Sequence, residues 1–147
     1  MTGEMIDVKM LVAVDDSDCS KRMLAHLVSH EGWCDGGHEW TVFHGVPPLP
    51  HRAAALADPP SVEGYYASDA ERVLRPVRNF LRRHGIQPIF LHKVCTPERE
   101  IARLANSGRF HLVVMGSHGR GALGAAVLGS VAQKVLASTK TPVLIVR

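Results

Sequence analysis

At 147 residues, 46% hydrophobic and 21% charged, the chain is sized and composed for one buried core, which excludes a multidomain assembly, a disordered chain and a fibre. Three scattered cysteines, at 19, 34 and 95, form no CxxC pair; they exclude a disulfide framework and read as reduced, cytosolic thiols. The net charge of +3 hides an asymmetry, because residues 101–147 carry six basic side chains and no acidic one, so an anion is the ligand to look for there.

No apolar run approaches the roughly 20 residues of a membrane span, and the acidic residues Glu4 and Asp7 stand where a signal peptide would be basic. The expectation is a cytoplasmic protein without a membrane segment.

Lys9 to Val14 is a short apolar, β-branched run halted by Asp15-Asp16-Ser17-Asp18, which predicts a buried strand running into a helix cap. Met23, Leu24, Leu27 and Val28 then recur at helical spacing. Trp40 to Val46 supplies a second strand. From Pro47 to Ser61 five prolines flank an alanine-rich centre, and the expectation is a mobile excursion without a regular element. Ser68-x-x-Glu71 has the form of a capping box, so a helix is expected from there to Gly85, kinked or shortened by Pro76.

Ile89 to Val94 predicts a third strand. Thr96-Pro97-Glu98 opens a third helix, with a cap, a proline at the first helical position and an acid near the positive end of the dipole. Phe110 to Met115 predicts a fourth strand, Ser130 to Ala137 a short helix and Pro142 to Val146 a fifth strand. Strands alternating with helices, the strands near-continuously apolar, call for a parallel sheet covered on both faces, with ligands outside the strands' carboxyl ends at the switch in strand order.

Between the fourth strand and the last helix lie five glycines in the fifteen residues 116–130. That much chain entropy is retained where backbone turns tightly or approaches something closely, and a helix start at Gly129-Ser130 offers amides, a dipole and a hydroxyl to an anion. The loop is not a Walker A motif, since Ala122 and Ser130 stand where its lysine is required. Gly119-x-Gly121-x-x-Gly124 meets the dinucleotide pattern, but no acidic residue follows Glu100 to bind a ribose.

The spacing Gly116-(2 residues)-Gly119-(9 residues)-Gly129-Ser130, after a buried strand and before a short helix and a Pro-Val-Leu-Ile-Val strand, resembles the nucleotide-binding signature of the universal stress protein family. Leu11-Val12-Ala13-Val14-Asp15-x-Ser17, Phe43-His44, Thr96-Pro97-Glu98 and Val113 to Gly119 extend the likeness over nearly the whole chain. The resemblance implies one flavodoxin-like (Rossmann-like) α/β domain over residues 1–147, with a five-stranded parallel sheet and helices on both faces. It further implies binding of ATP with a divalent ion such as Mg or Mn on the phosphates, and dimerisation through the last strand.

On the matching positions, Asp15 would contact the adenosine end, and Gly45 and Val46 would line the adenine pocket. Met115 and Gly116 would approach the ribose. Gly119, Gly129 and Ser130 would hold the phosphates, with His118, Arg120 and Val131 close by. Asp16, Gly45 and Cys95 depart from residues common in the family, Asp16 by adding a carboxylate that repels phosphate unless it points away.

Bland readings stand beside these. Asp15 equally fits a helix cap, and His44 reads as a hydrogen-bonded histidine rather than a ligand. Nine histidines without HxH or HExxH spacing make no zinc site. Arg72, Arg75, Arg78, Arg82 and Arg83 read as a solvated helix face rather than a nucleic-acid surface, since no aromatic residues interleave them. Val143 to Val146, apolar on both strand faces, also invites pairing with a second copy. The function expected is an ATP-binding stress or signalling module with little or slow hydrolysis. A slow nucleotide hydrolase and an interaction adaptor of the same fold that binds no nucleotide are the alternatives.

Overall fold

The computed structural model describes residues 7–34, 37–118 and 128–147. The elements in chain order are β1 (Lys9–Ala13), α1 (Asp18–Val28), α2 (Glu31–Cys34), β2 (Glu39–Val46), α3 (His51–Leu56), α4 (Pro59–Arg83), β3 (Ile89–Val94), α5 (Pro97–Asn106), β4 (Leu112–Gly116), α6 (Ser130–Ser138) and β5 (Val143–Val146). The strands form one sheet in the order β3-β2-β1-β4-β5, and every neighbouring pair is parallel.

The pleat divides the core in two, because successive residues of a strand face opposite ways. Met10, Val12 and Val42 pack with Met23 and Leu27 of α1 and with Val73, Leu74 and Leu81 of α4. Leu11, Phe43, Val113 and Met115 pack with Ile101 and Ala105 of α5 and with Ala132 and Val135 of α6. Helices therefore cover both faces of the central strands, as expected. The edge strand β3 departs from that expectation, since Ile89 is 50% and Leu91 39% exposed beyond the reach of the helical layer.

The stretch from Pro47 to Ser61 is not an irregular excursion. It contains α3 and the first turn of α4. The prolines fall where they do no harm. Pro50 takes the N-cap position of α3, and Pro59 and Pro60 fill the first positions of α4, whose amides have no intrahelical acceptor to lose. Ala53, Ala54 and Ala55 supply the helix propensity between them.

Ser68 accordingly lies inside α4 and caps nothing; the N-cap position belongs to Asp58. Nor is the helix cut short at Pro76, which lies on its exposed face. At the helix end, Gly85 adopts φ +74°, a conformation that lets the chain turn towards β3 and that other residues rarely reach.

Candidate functional site

The switch in strand order falls between β1 and β4, whose chain connections depart in opposite directions along the sheet. A cavity of about 560 Å³ opens there, at the carboxyl ends of β1, β2 and β4, within the size range of small-molecule sites. Of the residues expected at a nucleotide site, Asp15, Gly45, Met115, Gly116, His118, Gly129, Ser130 and Val131 all line it. Gly119 and Arg120 lie outside the described residues.

Val46 does not line the cavity. At the end of β2 it is fully buried, and its carbonyl accepts the Cys95 amide at 3.0 Å. Gly45 is explained by packing, since a Cβ there would stand 3.1 Å from three atoms of Pro97 at the start of α5. Gly116 is explained likewise, because a Cβ would meet the Cys19 backbone of α1 at 3.2 Å. The first glycine of the signature thus lets α1 sit against the end of β4.

On the α1 side the polar groups satisfy one another. The Ser17 amide donates to Asp15 Oδ1 at 2.9 Å, the Ser20 amide donates to Ser17 Oγ at 3.2 Å, and the Asp15 amide donates to Ser20 Oγ at 3.0 Å. Asp15 is therefore a structural residue of the turn and a cavity residue at once, with Oδ2 free of partners among the described residues. Asp16 turns away from the cavity and is held by Arg72 at 2.6 Å, which answers the repulsion its presence suggested.

Arg72 also reaches Asp69 Oδ1 at 2.7 Å, and Asp69 Oδ2 lies 3.0 Å from Nε2 of His44, whose Nδ1 faces the Val14 carbonyl at 3.1 Å. His44 and Asp69 are both buried, and both form part of the cavity wall. Burial alone would raise the Asp69 carboxyl, but the hydrogen bonds from His44 and Arg72 outweigh it and hold the group below the ordinary carboxylate range. His44 is the hydrogen-bonded histidine the sequence suggested. Its partner Asp69, 25 residues away, carried no sequence signal.

On the α6 side the arrangement is open. Ser117 joins the neighbouring elements, its amide donating to the Val146 carbonyl at 2.9 Å and its carbonyl accepting the Gly129 amide at 2.7 Å. The Gly129 amide is thus spent within the protein and is not a free donor. The first intrahelical bond runs from the Gln133 amide to the Gly129 carbonyl, which leaves the amides of Ser130, Val131 and Ala132 without an intrahelical acceptor. Gly129, at the N-cap position, has no side chain to offer them.

His118 donates or accepts through Nδ1 to Ser117 Oγ at 2.9 Å, while its Nε2 is buried without a hydrogen-bond partner among the described residues. Lys134, one turn beyond Ser130, also lines the cavity and was missed, as were Ser17, Ser20 and Ser117. The i, i+4 spacing of Ser130 and Lys134 was the available signal for the lysine.

Charge is thus graded across the cavity, with carboxylates at the α1 and α4 end and amides, a dipole and a lysine at the α6 end. An open parallel α/β sheet with such a cleft at its switch point defines a class of small-ligand-binding domains with an anion-receptive helix end. The sequence profile of the Universal stress protein family matches residues 8–147, and the chain belongs to that family.

A universal stress protein of Thermus aquaticus, described by its position in the QAH/OAS sulfhydrylase 3' region, is 45% identical over 51 residues; these make up 35% of this chain and 37% of that protein. The match thus spans little more than a third of that relative. Among solved structures, the universal stress protein UspA of Lactobacillus plantarum superposes with TM-score 0.76 at 18% identity, covering 97% of this chain and 99% of that one. The universal stress protein of Archaeoglobus fulgidus in complex with dAMP superposes with TM-score 0.67 at 22% identity, covering 97% of this chain and all of the other. The likeness to these two is one of fold.

Proposed function

We propose that this protein binds an adenine nucleotide in the switch-point cleft, ATP above all, and serves as a stress-response or signalling module with slow or absent turnover. The observation that carries this reading is the start of α6, which has no side-chain cap among the described residues and whose first three residues, Ser130, Val131 and Ala132, line a cavity with carboxylates at its far end. The partnerless Nε2 of His118 supports it further, because a buried polar nitrogen without a partner costs free energy that a ligand oxygen would recover.

The charge gradient sets the orientation. Phosphates take the α6 end, where the amides of Ser130, Val131 and Ala132 and the Ser130 hydroxyl donate. The nucleoside takes the end where Asp15 Oδ2 accepts from a hydroxyl or amino group. Met115, Gly116 and Gly45 form the apolar and backbone surface between the two ends. The family member from Archaeoglobus fulgidus, which holds dAMP, makes adenine the base to test first. Among the described residues no group of three His, Cys, Asp or Glu side chains is placed to cage a metal ion, so a divalent cation would arrive on the phosphate oxygens.

Homodimerisation through the edge strand β5 (Val143–Val146) belongs to the same proposal. Calorimetric titration with ATP, ADP and AMP tests the binding. Saturable binding of wild type that disappears in Gly129→Val supports the reading, and wild-type protein that takes up none of the three sinks it. Light scattering at micromolar concentration tests the dimer, and phosphate release measured against the Gly129→Val control tests turnover.

A further inference from the structure

Ser130 and Lys134 stand four residues apart on α6 and so share one face of the helix, the face turned to the cleft. Long helical side chains lean back towards the helix N-terminus, which carries the lysine over the turn that holds the spare amides. Lys134 is not idle there. Its Nζ lies 3.3 Å from Glu98 Oε1, in the first turn of α5 across the cleft mouth.

The two partners are unequally placed, the lysine side chain 63% and the glutamate 18% exposed. An ion pair with one end so far in water is weak and is exchanged readily for a stronger anion. A terminal phosphate is such an anion, since it carries more charge than a carboxylate and several acceptor oxygens. The cleft thus holds a cation at its mouth under light restraint, beyond the amides that would take the first phosphate.

Resting on the nucleotide reading above, we propose that Lys134 reads the length of the phosphate chain. It leaves Glu98 for the distal phosphates of a nucleoside triphosphate and finds nothing to reach in a monophosphate, so that the pair with Glu98 sets the preference for triphosphate over monophosphate. Glu98 competes with the ligand for the same ammonium group and lowers triphosphate affinity by doing so.

The test is a titration of ATP and AMP, with and without magnesium, into wild type, Lys134→Met, Lys134→Arg and Glu98→Gln, each first shown to unfold at the wild-type temperature within a few degrees. Methionine keeps the stem and removes the charge. The expected result is that Lys134→Met weakens ATP about tenfold or more, the scale of one charge-assisted hydrogen bond, and leaves AMP within about twofold. Arginine restores most of the ATP affinity, and Glu98→Gln tightens ATP while leaving AMP unchanged.

The proposal is overturned if Lys134→Met changes ATP and AMP affinity equally, or changes neither, in a wild type that binds both. Wild-type protein that binds neither nucleotide overturns the nucleotide reading itself, a different failure from an indifferent lysine.

Discussion

Two helices begin at the carboxyl edge of the same sheet and treat their first amides in opposite ways. The start of α1 is closed, with Ser17 capping it, Asp15 bracing the turn and Ser20 Oγ accepting the Asp15 amide. The start of α6 is open, because Gly129 has no side chain to place over the amides of Ser130, Val131 and Ala132. A helix end satisfied by its own protein contributes stability, whereas one left unsatisfied beside a cavity holds its donors for something else. The family's glycine signature supplies the second condition at Gly129. At Gly116 it serves the first, by letting α1 sit against β4.

The contrast is broken most severely by closing the open helix. Gly129 has φ −63° and ψ 156°, a conformation any residue adopts, so Gly129→Asp should fold. It should gain a few tenths of a kcal/mol as an acidic cap and lose nucleotide affinity by about a hundredfold or more, because a carboxylate would occupy the donors and repel phosphate. Thermal unfolding and calorimetry on the same sample read both effects; a variant that still bound ATP normally would remove α6 from the site.

Removing the brace behind the closed helix comes next. His44→Ala strips Asp69 of one of its two partners and leaves the Val14 carbonyl without its donor. Breaking a buried pair costs about 3 to 5 kcal/mol, and the Arg72 contact that survives should hold the loss near ~2 kcal/mol in urea unfolding. Ser17→Ala is milder, at about 1 kcal/mol, and should leave ATP affinity within about twofold, since the α1 amides serve the fold and not the ligand.

The smallest effect is on pH dependence. Asp69, with a folded value below its unfolded one, contributes stability fully above the unfolded carboxyl range near ~4, and the contribution is lost as pH falls through the folded value. Melting temperature should therefore fall as pH drops below about 4, and less steeply in Asp69→Asn. Equal slopes in the two proteins would put the acid sensitivity on other carboxyls held low, among them Glu100, lowered chiefly by Arg103, and Glu71, lowered chiefly by Arg78.

Much of this molecule was legible residue by residue. Lys9 to Val14, Trp40 to Val46 and Ile89 to Val94 announce strands because their side chains are apolar or β-branched and their ends are marked by Asp, Pro or Thr-Pro. The glycine spacing pointed to the ends of β4 and α6, where the cavity opens. The proline-rich stretch was misread because proline is a breaker only inside a helix, and position within a helix depends on where that helix starts. Val46 was grouped with Gly45, but it is buried at the end of β2 and is not part of the cavity wall. The sequence also marked Gly129 as a donor, but its amide is consumed by the carbonyl of Ser117, 12 residues back, just past the end of β4.

What local sequence determined, then, was the alternation of strand and helix, the glycine-bearing start of α6 and the excess of positive charge around it, since propensity and composition act over a few residues. Tertiary structure alone decided that Asp16 turns to Arg72, that Asp69 meets His44, and that Lys134 leans to Glu98 across the cleft mouth. Each of these pairs joins residues 25 to 56 positions apart in the chain. Their meeting follows from the order of strands and the direction of each pleat, which no window of the chain contains.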